Sequence, residues 1–276
     1  MNRAEEGPIG LELPMALALE NLDGIAKRMV LAVQEYSLFC WQTVANVFRR
    51  PHYWGDVMTQ ADLIGVGSLP IVVLTGFFTG GVLALQSAAS LAQFGAQAYT
   101  GRFVSLSMIR ELAPVLTGLM VSGRNASGVA SELGSMVVTE QIDAMRALGT
   151  DPMKKLVTPR VLSTVVMLFL LTIVSDTVGT AGGAFVAVFM SGQNGTQYFT
   201  SAYQALVYAD IAQGLTKPLF FGFIIATVGC YFGMKTTGGT QGVGRSTTQA
   251  VVVSSVLIIF SDFLLSQALL WVFSGL

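Results

Sequence analysis

The chain has 276 residues, of which 53% are hydrophobic and only 11% are charged, and its mean hydropathy is +0.64. A soluble domain carries about 25% charged residues, so this composition excludes an ordinary soluble fold. It indicates a membrane protein instead. The formal net charge of −1 offers no basic surface, which excludes a nucleic-acid-binding function.

Two cysteines and one histidine limit the chemistry that the chain can perform. Cys40 and Cys230 are far apart and form neither a CxxC pair nor a metal-binding spacing. His52 is the only histidine, which argues against a histidine-ligated metal and against a Ser-His or Cys-His nucleophile. We therefore expect no metal, no cofactor and no enzymatic activity.

The amino-terminal part is the least apolar. Residues 1–23 are a mixed segment without the apolar core of a signal peptide, and we expect a loose cytoplasmic segment there. From Lys27 to Arg50, apolar residues recur at steps of three and four. This pattern predicts an amphipathic helix within residues 24–56 that lies in the membrane interface. Its apolar stripe comprises Val33, Tyr36, Cys40, Val44 and Val47.

The remainder, residues 57–276, forms the predicted transmembrane domain. A bilayer crossing takes about 20 helical residues, and the charge-free run 63–101 contains the first. We predict four more spans, at 103–123, 161–190, 211–234 and 247–273. The predicted fold is all-α and polytopic, with an interfacial amino-terminal helix, five transmembrane helices, and a cytoplasmic coupling helix between spans two and three.

The basic residues orient this topology. Of the 15 Lys and Arg residues, 12 lie in the segments 1–56, 124–160 and 235–245. Basic residues concentrate in cytoplasmic loops, so these segments and the amino terminus are predicted to be cytoplasmic. Five crossings then put the carboxyl terminus on the outer side of the membrane.

The central polar block contains a short predicted helix. We predict Thr139 as its N-cap and Glu140 in its first turn, next to the positive end of the helix dipole. Gly149 followed by Pro152 ends it. Its apolar face comprises Ile142, Met145 and Leu148. The helix is either a connector resting on the lipid headgroups or a docking element that passes a partner's movement into the membrane.

Several charges fall inside the predicted spans, among them Arg110, Glu111, Lys217 and Asp262. An ionisable group in hydrocarbon costs from about 2.5 kcal/mol upward, so such groups pair or line a cavity. Neighbours on a helix point about 100° apart, so Arg110 and Glu111 need partners on other spans. We predict that Lys217 pairs with Asp262 or Glu111, either to hold helices together or to serve transport.

One segment nearly matches a nucleotide-binding loop. Residues 239–246 approach the pattern GxxxxGK[ST], but Arg245 stands at the lysine position and the segment follows a membrane span rather than a strand. We interpret the segment as a glycine-rich cytoplasmic hinge without a nucleotide site.

Several motifs resemble those of the MlaE/YrbE permease family. They are Arg110-Glu-Leu-Ala-Pro-Val-Leu116, Gly123-Arg-Asn-Ala-Ser-Gly128, Glu132-Leu-Gly-Ser-Met136 and Thr139-Glu-Gln-Ile-Asp-Ala144. The resemblance implies the membrane subunit of an ABC-type transporter that moves phospholipid between the bacterial inner membrane and a periplasmic MCE-domain protein. It also implies a homodimer, a separate cytoplasmic ABC ATPase and a small cytoplasmic STAS-type subunit.

The resemblance also assigns residues to roles. Segment 131–149 matches the coupling helix that binds the ATPase, with Glu132, Thr139, Glu140, Ile142, Asp143 and Met145. The charged residues Arg110, Glu111, Lys217 and Asp262 match positions that matter for transport. Leu83, Gln86, Leu91 and Phe94 match the wall of the lipid pocket, where relatives often have a tyrosine in place of Phe94.

Two other functions are open to a reading of the residues alone. An ion-coupled secondary transporter could use Asp176, Lys217 and Asp262 as a proton relay, but many such folds show an internal repeat that this chain lacks. An intramembrane enzyme would need a histidine-based site or a close carboxylate pair, and the sequence has neither.

Overall fold

The computed structural model describes residues 12–49 and 53–273, and this part of the chain is helical, with no strand. The helices are α1 (Glu12–Val47), α2 (Trp54–Ala92), α3 (Thr100–Ser107), α4 (Ala113–Val121), α5 (Ser127–Val138), α6 (Gln141–Ala147), α7 (Thr158–Phe189), α8 (Gly195–Ala205), α9 (Tyr208–Met234) and α10 (Gly239–Phe273). Three π-helical turns lie at Met108–Leu112, Ser122–Ala126 and Met153–Val157.

Within the described residues, five continuous helical stretches are long and apolar enough to cross a membrane. They are span one (Trp54–Ala92), span two (Gln97–Val138), span three (Met153–Phe189), span four (Tyr208–Met234) and span five (Gly239–Val272). The predicted all-α, polytopic class with five spans is therefore confirmed.

Span two is longer than predicted. The predicted end at Gly123 is wrong, because the helix passes through a π-helical turn and continues to Val138. The charge of Arg124 does not end the helix, since its guanidinium donates to the Leu63 carbonyl at 3.1 Å and to Ser68 Oγ at 3.0 Å. A long side chain can thus lie along a neighbouring helix while its charged end stays satisfied.

The short helix α6 follows span two after a tight reversal. The prediction that Thr139 is the N-cap of α6 is wrong. Thr139 is instead the C-cap of α5, and its hydroxyl donates to the Ser135 carbonyl at 2.8 Å. Glu140 makes the reversal with a φ of 60° and no capping hydrogen bond from its side chain. Because α5 runs to Val138, only two residues remain for the turn, and a left-handed residue supplies it. Gly149, with a φ of 78°, follows the end of α6, as predicted.

The amino-terminal helix α1 begins at Glu12, earlier than the sequence pattern indicated. Pro14 lies in its first turn, where proline removes no helical hydrogen bond. Residues 1–11 lie outside the described part of the chain. The position of α1 at the membrane interface stays a prediction.

One side of α1 packs against span four. The Tyr36 hydroxyl lies 2.8 Å from Thr227 Oγ1, and the Tyr36 ring meets the Tyr231 ring edge-on at 5.4 Å. Two members of the predicted apolar stripe, Val33 and Val44, are exposed, whereas Tyr36 of the same stripe packs against span four.

Glycines set the closest crossings between the spans. A Cβ atom at Gly80 would lie 1.9 Å from the Gly179 carbonyl oxygen, and one at Gly222 would lie 2.7 Å from Val165 Cα. Backbones that approach this closely exclude any side chain at the crossing. Glycines in spans one, three and four therefore permit tight helix packing.

Replacing Gly80 with alanine tests this packing. We expect Gly80→Ala to lower the thermal unfolding temperature of the purified protein, since an overpacked contact costs about 1–3 kcal/mol. Gly128→Ala is the matched control, because no atom lies within 4 Å of a Cβ added there and alanine favours the helix. Equal unfolding temperatures for the two variants would contradict the crossing.

Candidate functional site

A cluster of charged side chains lies where spans two, four and five meet. Lys217 of α9 is fully buried. Its ammonium forms an ion pair with Glu111 and lies 2.9 Å from Asp262 Oδ1. Ser266 Oγ donates to Glu111 Oε1 at 3.2 Å. The predicted pairing of Lys217 is confirmed, and it involves both carboxylates rather than one.

The backbone of span two also contributes to this site. Lys217 Nζ donates to the Arg110 carbonyl at 2.9 Å. The residue four positions later is Pro114, which has no amide hydrogen and cannot make the usual helical bond to that carbonyl. The ammonium supplies the missing donor. The π-helical turn Met108–Leu112 surrounds this carbonyl, and such turns are frequent at functional sites.

The side chain of Arg110 reaches a different helix from that of Glu111. Its Nε donates to Asp210 Oδ1 at 2.7 Å, and Asp210 is buried. Asp210 Oδ2 in turn accepts a hydrogen bond from the Val207 amide at 3.1 Å. The prediction that the adjacent charges need partners on other spans is confirmed.

Asp210 is a member of the cluster that the sequence did not assign to the site. A count of the charges in the spans could have identified Asp210. If Lys217 pairs with both Glu111 and Asp262, Arg110 still needs a carboxylate. Spans three and four offer Asp176 and Asp210 as the remaining candidates. Two cations and three carboxylates then lie together within the spans, which lowers the cost of each charge.

A cavity of about 600 Å³ opens beside this cluster, within the usual size range of ligand pockets. Its wall is mostly apolar, and Arg110 and Glu111 contribute charges to it. The lining residues are Leu91, Tyr99, Arg102, Phe103, Leu106, Ser107, Arg110, Glu111, Gln213 and Leu270. An apolar wall with charged groups suits a molecule that has both an apolar and a charged part.

The four predicted pocket residues do not share this cavity. Leu91 lines it, whereas Leu83 and Gln86 line a second recess of about 370 Å³. Phe94 follows the end of α2 at Ala92, is 82% exposed and lines neither space. The spacing of these four residues in the sequence is roughly helical, and it did not indicate that α2 ends before Phe94.

The predicted coupling residues occupy the end of span two and the helix α6. Glu132 forms an ion pair of 2.8 Å with Arg160, which is buried and ties span two to span three. In α6, Ile142 is buried, whereas Asp143 is exposed. Leu148, predicted on the same face as Ile142, is 83% exposed. Met145 is half-buried, and Thr139 and Glu140 are exposed. The short helix is therefore anchored on one side and open on the other.

Removing the Lys217 charge tests the cluster. We expect Lys217→Met to destabilise the protein by about 3–5 kcal/mol, because two carboxylates then lose their buried cation. The triple variant Lys217→Met, Glu111→Gln, Asp262→Asn removes the unpaired charges as well and should recover much of the loss. Thermal unfolding in detergent measures both, and equal unfolding temperatures for the single and triple variants would contradict the ion-pair cluster.

Comparison with known proteins agrees with the motifs. The family model described as permease MlaE matches residues 57–268. A probable ABC transporter permease protein of Rickettsia typhi is 41% identical over 256 residues, which are 92% of this chain and 99% of that protein. One from Synechocystis is 43% identical over 211 residues, which are 76% of this chain and 80% of that protein.

A third relative comes from a plant. Protein TRIGALACTOSYLDIACYLGLYCEROL 1, chloroplastic, of Arabidopsis thaliana is 38% identical over 226 residues, which are 82% of this chain and 65% of that protein. The resemblance stated from the sequence motifs is thereby confirmed. The five apolar spans and these relatives together identify a multi-pass membrane protein that serves as a transport permease. The chain belongs to the MlaE permease family.

Proposed function

We propose that the chain is the permease subunit of an ABC-type transporter that moves phospholipid between the inner membrane and a periplasmic MCE-protein carrier. A separate ATPase supplies the energy, and the chain has no nucleotide site of its own. The observation that carries the proposal is the mostly apolar cavity of about 600 Å³ that borders the charged cluster within the spans.

The chemistry of the cavity matches that of a phospholipid. Apolar side chains such as Leu91, Phe103 and Leu270 provide a surface for acyl chains. The Arg110 guanidinium is 42% exposed on its side chain and is available to a phosphate group, even while it pairs with Asp210. The name of the Arabidopsis relative also contains that of a lipid, which agrees with a lipid substrate.

A homodimer would complete this cavity. Only 17% of the residues in the most apolar stretch of span five are buried, against 56% in that of span four. Span five exposes large apolar side chains, among them Phe260 and Phe263. It also contributes Leu270 to the cavity wall. A second copy seated against span five would cover this face and close the lipid space.

The helix α6 is the proposed docking element for the ATPase. It presents Asp143 and Arg146 on its open side, joined by an ion pair of 2.8 Å, and it follows span two after a two-residue turn. The excess of basic residues at this end supports its position on the cytoplasmic side of the inner membrane. The amino terminus is then cytoplasmic and the carboxyl terminus periplasmic. A small STAS-type subunit fits the same cytoplasmic assembly.

Charge reversal on α6 tests the docking. We expect Glu140→Lys with Asp143→Lys to abolish co-purification of the ATPase, because both carboxylates are exposed on the docking surface. Asp62→Lys, an exposed reversal on span one, is the control and should retain the ATPase. Normal yield and unfolding temperature would confirm that the double variant folds. Undiminished ATPase recovery from that variant would refute docking through α6.

Photo-crosslinking in cells tests the lipid cavity. A cysteine at Leu91 that carries a photoreactive group should capture phospholipid, because Leu91 lines the cavity. The same group at Val166, an exposed position on span three, reports contact with bulk lipid. We expect capture at position 91 to exceed that at position 166 and to fall when ATP hydrolysis by the partner is blocked. Equal capture at both positions would exclude the cavity as a lipid site, and capture that follows the proton gradient instead of ATP would favour the ion-coupled alternative.

A further inference from the structure

A third recess, distinct from the two described above, lies far from the Lys217 cluster, at the junction of spans four and five. Lys235 follows span four and comes 18 residues after Lys217, which corresponds to about 27 Å along a helix. A polar cavity of about 290 Å³ and an apolar groove of about 550 Å³ meet here. They share Lys235, Ser246 and Gln249, so they form one recess with a polar and an apolar end.

The apolar groove runs along the helices away from the polar end. It lies between α1, α9 and α10, and its walls include Tyr36, Val228, Val253 and Leu257. Val228 is seven residues before Lys235, so the groove reaches about 10 Å along span four from the level of that ammonium. This geometry places its walls in the hydrocarbon region, where an acyl chain can lie along it.

The polar cavity carries an excess of positive charge. Lys235 pairs with Glu35 of α1 and donates to the Tyr231 hydroxyl at 3.0 Å. The hydrogen bond to Glu35 raises the pKa of Lys235, so this ammonium stays charged at neutral pH. Arg245 lines the same cavity and forms no ion pair with any residue in the described ranges 12–49 and 53–273. Two cations therefore face one carboxylate.

The start of α10 adds a further attraction for anions. Gly238 and Gly239 have φ values of 87° and 67°, and the helix begins at Gly239 with Gln241 and Gly242 in the cavity wall. The first amide groups of a helix have no internal partner and are available to an anion, whereas the Gly242 amide already donates to the Gly238 carbonyl at 3.4 Å. This is the segment whose sequence approaches a phosphate-binding loop, and here it opens a membrane helix.

We propose that this recess binds one anionic phospholipid of the cytoplasmic leaflet, with the phosphate in the polar cavity and an acyl chain in the groove. The two cations and the helix start select the phosphate, and the adjacent apolar groove selects a molecule that also has a chain. The site is separate from the transport cavity, and a lipid bound there would join α1 to spans four and five.

Site-specific photo-crosslinking in nanodiscs tests the proposal. The full-length protein carries a photoreactive amino acid at Val253, inside the groove, in equimolar phosphatidylglycerol and phosphatidylcholine. The control position is Val166 on span three, which is 48% exposed and reports contact with bulk lipid. We expect capture at 253 to favour phosphatidylglycerol about fivefold, the effect of one basic side chain near an anionic headgroup. Capture at 166 should match the bulk ratio.

Two charge variants separate a built site from general surface charge. Arg245→Gln should return the ratio at 253 to the bulk value. Arg49→Gln removes an exposed cation from the same side of the membrane and should leave the ratio unchanged. A bulk ratio at 253 in the unaltered protein, or equal losses from the two variants, would overturn the proposal.

The remaining outcomes identify other occupants. Excess inorganic phosphate should not reduce lipid capture, and a loss would show that the polar cavity binds free phosphate rather than a headgroup. Crosslinks from 253 to a second copy, in place of lipid, would also overturn the proposal. Because the test reads position 253 and not the transport cavity, its failure leaves the proposed transport function untouched.

Discussion

The buried ammonium of Lys217 is the constraint on which the arrangement of spans two, four and five depends. A charge in hydrocarbon persists only when neighbouring groups replace its hydration. Here Glu111 of span two and Asp262 of span five provide the carboxylates, and the Arg110 carbonyl provides a third contact. Because these groups belong to separate helices, none of the three spans can slide or rotate without leaving a charge uncompensated.

Close backbone approach makes these contacts possible. A Cβ at Gly214 of span four would lie 2.2 Å from the Ile109 carbonyl of span two, so the two helices nearly touch there. Residues three apart share a face of a helix, and Lys217 follows Gly214 by three. Its ammonium thereby reaches the carbonyl of Arg110, the residue after Ile109. Gly214 permits the close crossing of the two helices. Pro114 leaves the Arg110 carbonyl without its usual helical donor, and Lys217 donates to it instead.

Much of this was accessible from the sequence, and the failures share one cause. The five apolar runs predicted the spans, and the cost of a buried charge predicted the partners of Lys217. The end of span two, the cap at Thr139 and the place of Asp210 were missed, since each depends on contacts between distant segments. Arg124 shows why: its charge reads as the start of a loop, yet the Leu63 carbonyl accepts its hydrogen bond and the helix goes on. The local sequence pattern indicates only the tendency of a segment to form a helix, whereas contacts with distant segments determine where these helices end.

Span two links the two regions that the proposed function requires. Glu111 forms an ion pair with Lys217 in the first half of span two, and Glu132 pairs with the buried Arg160 near its end at Val138. These residues are 21 positions apart, or about 32 Å, close to the thickness of the hydrocarbon core. The π-helical turn Ser122–Ala126 lies between them, and such turns are places where a helix bends or changes register. Under the proposed function, a movement of α6 therefore reaches the charged cluster through one helix. The π-helical turn is the place where that helix can bend.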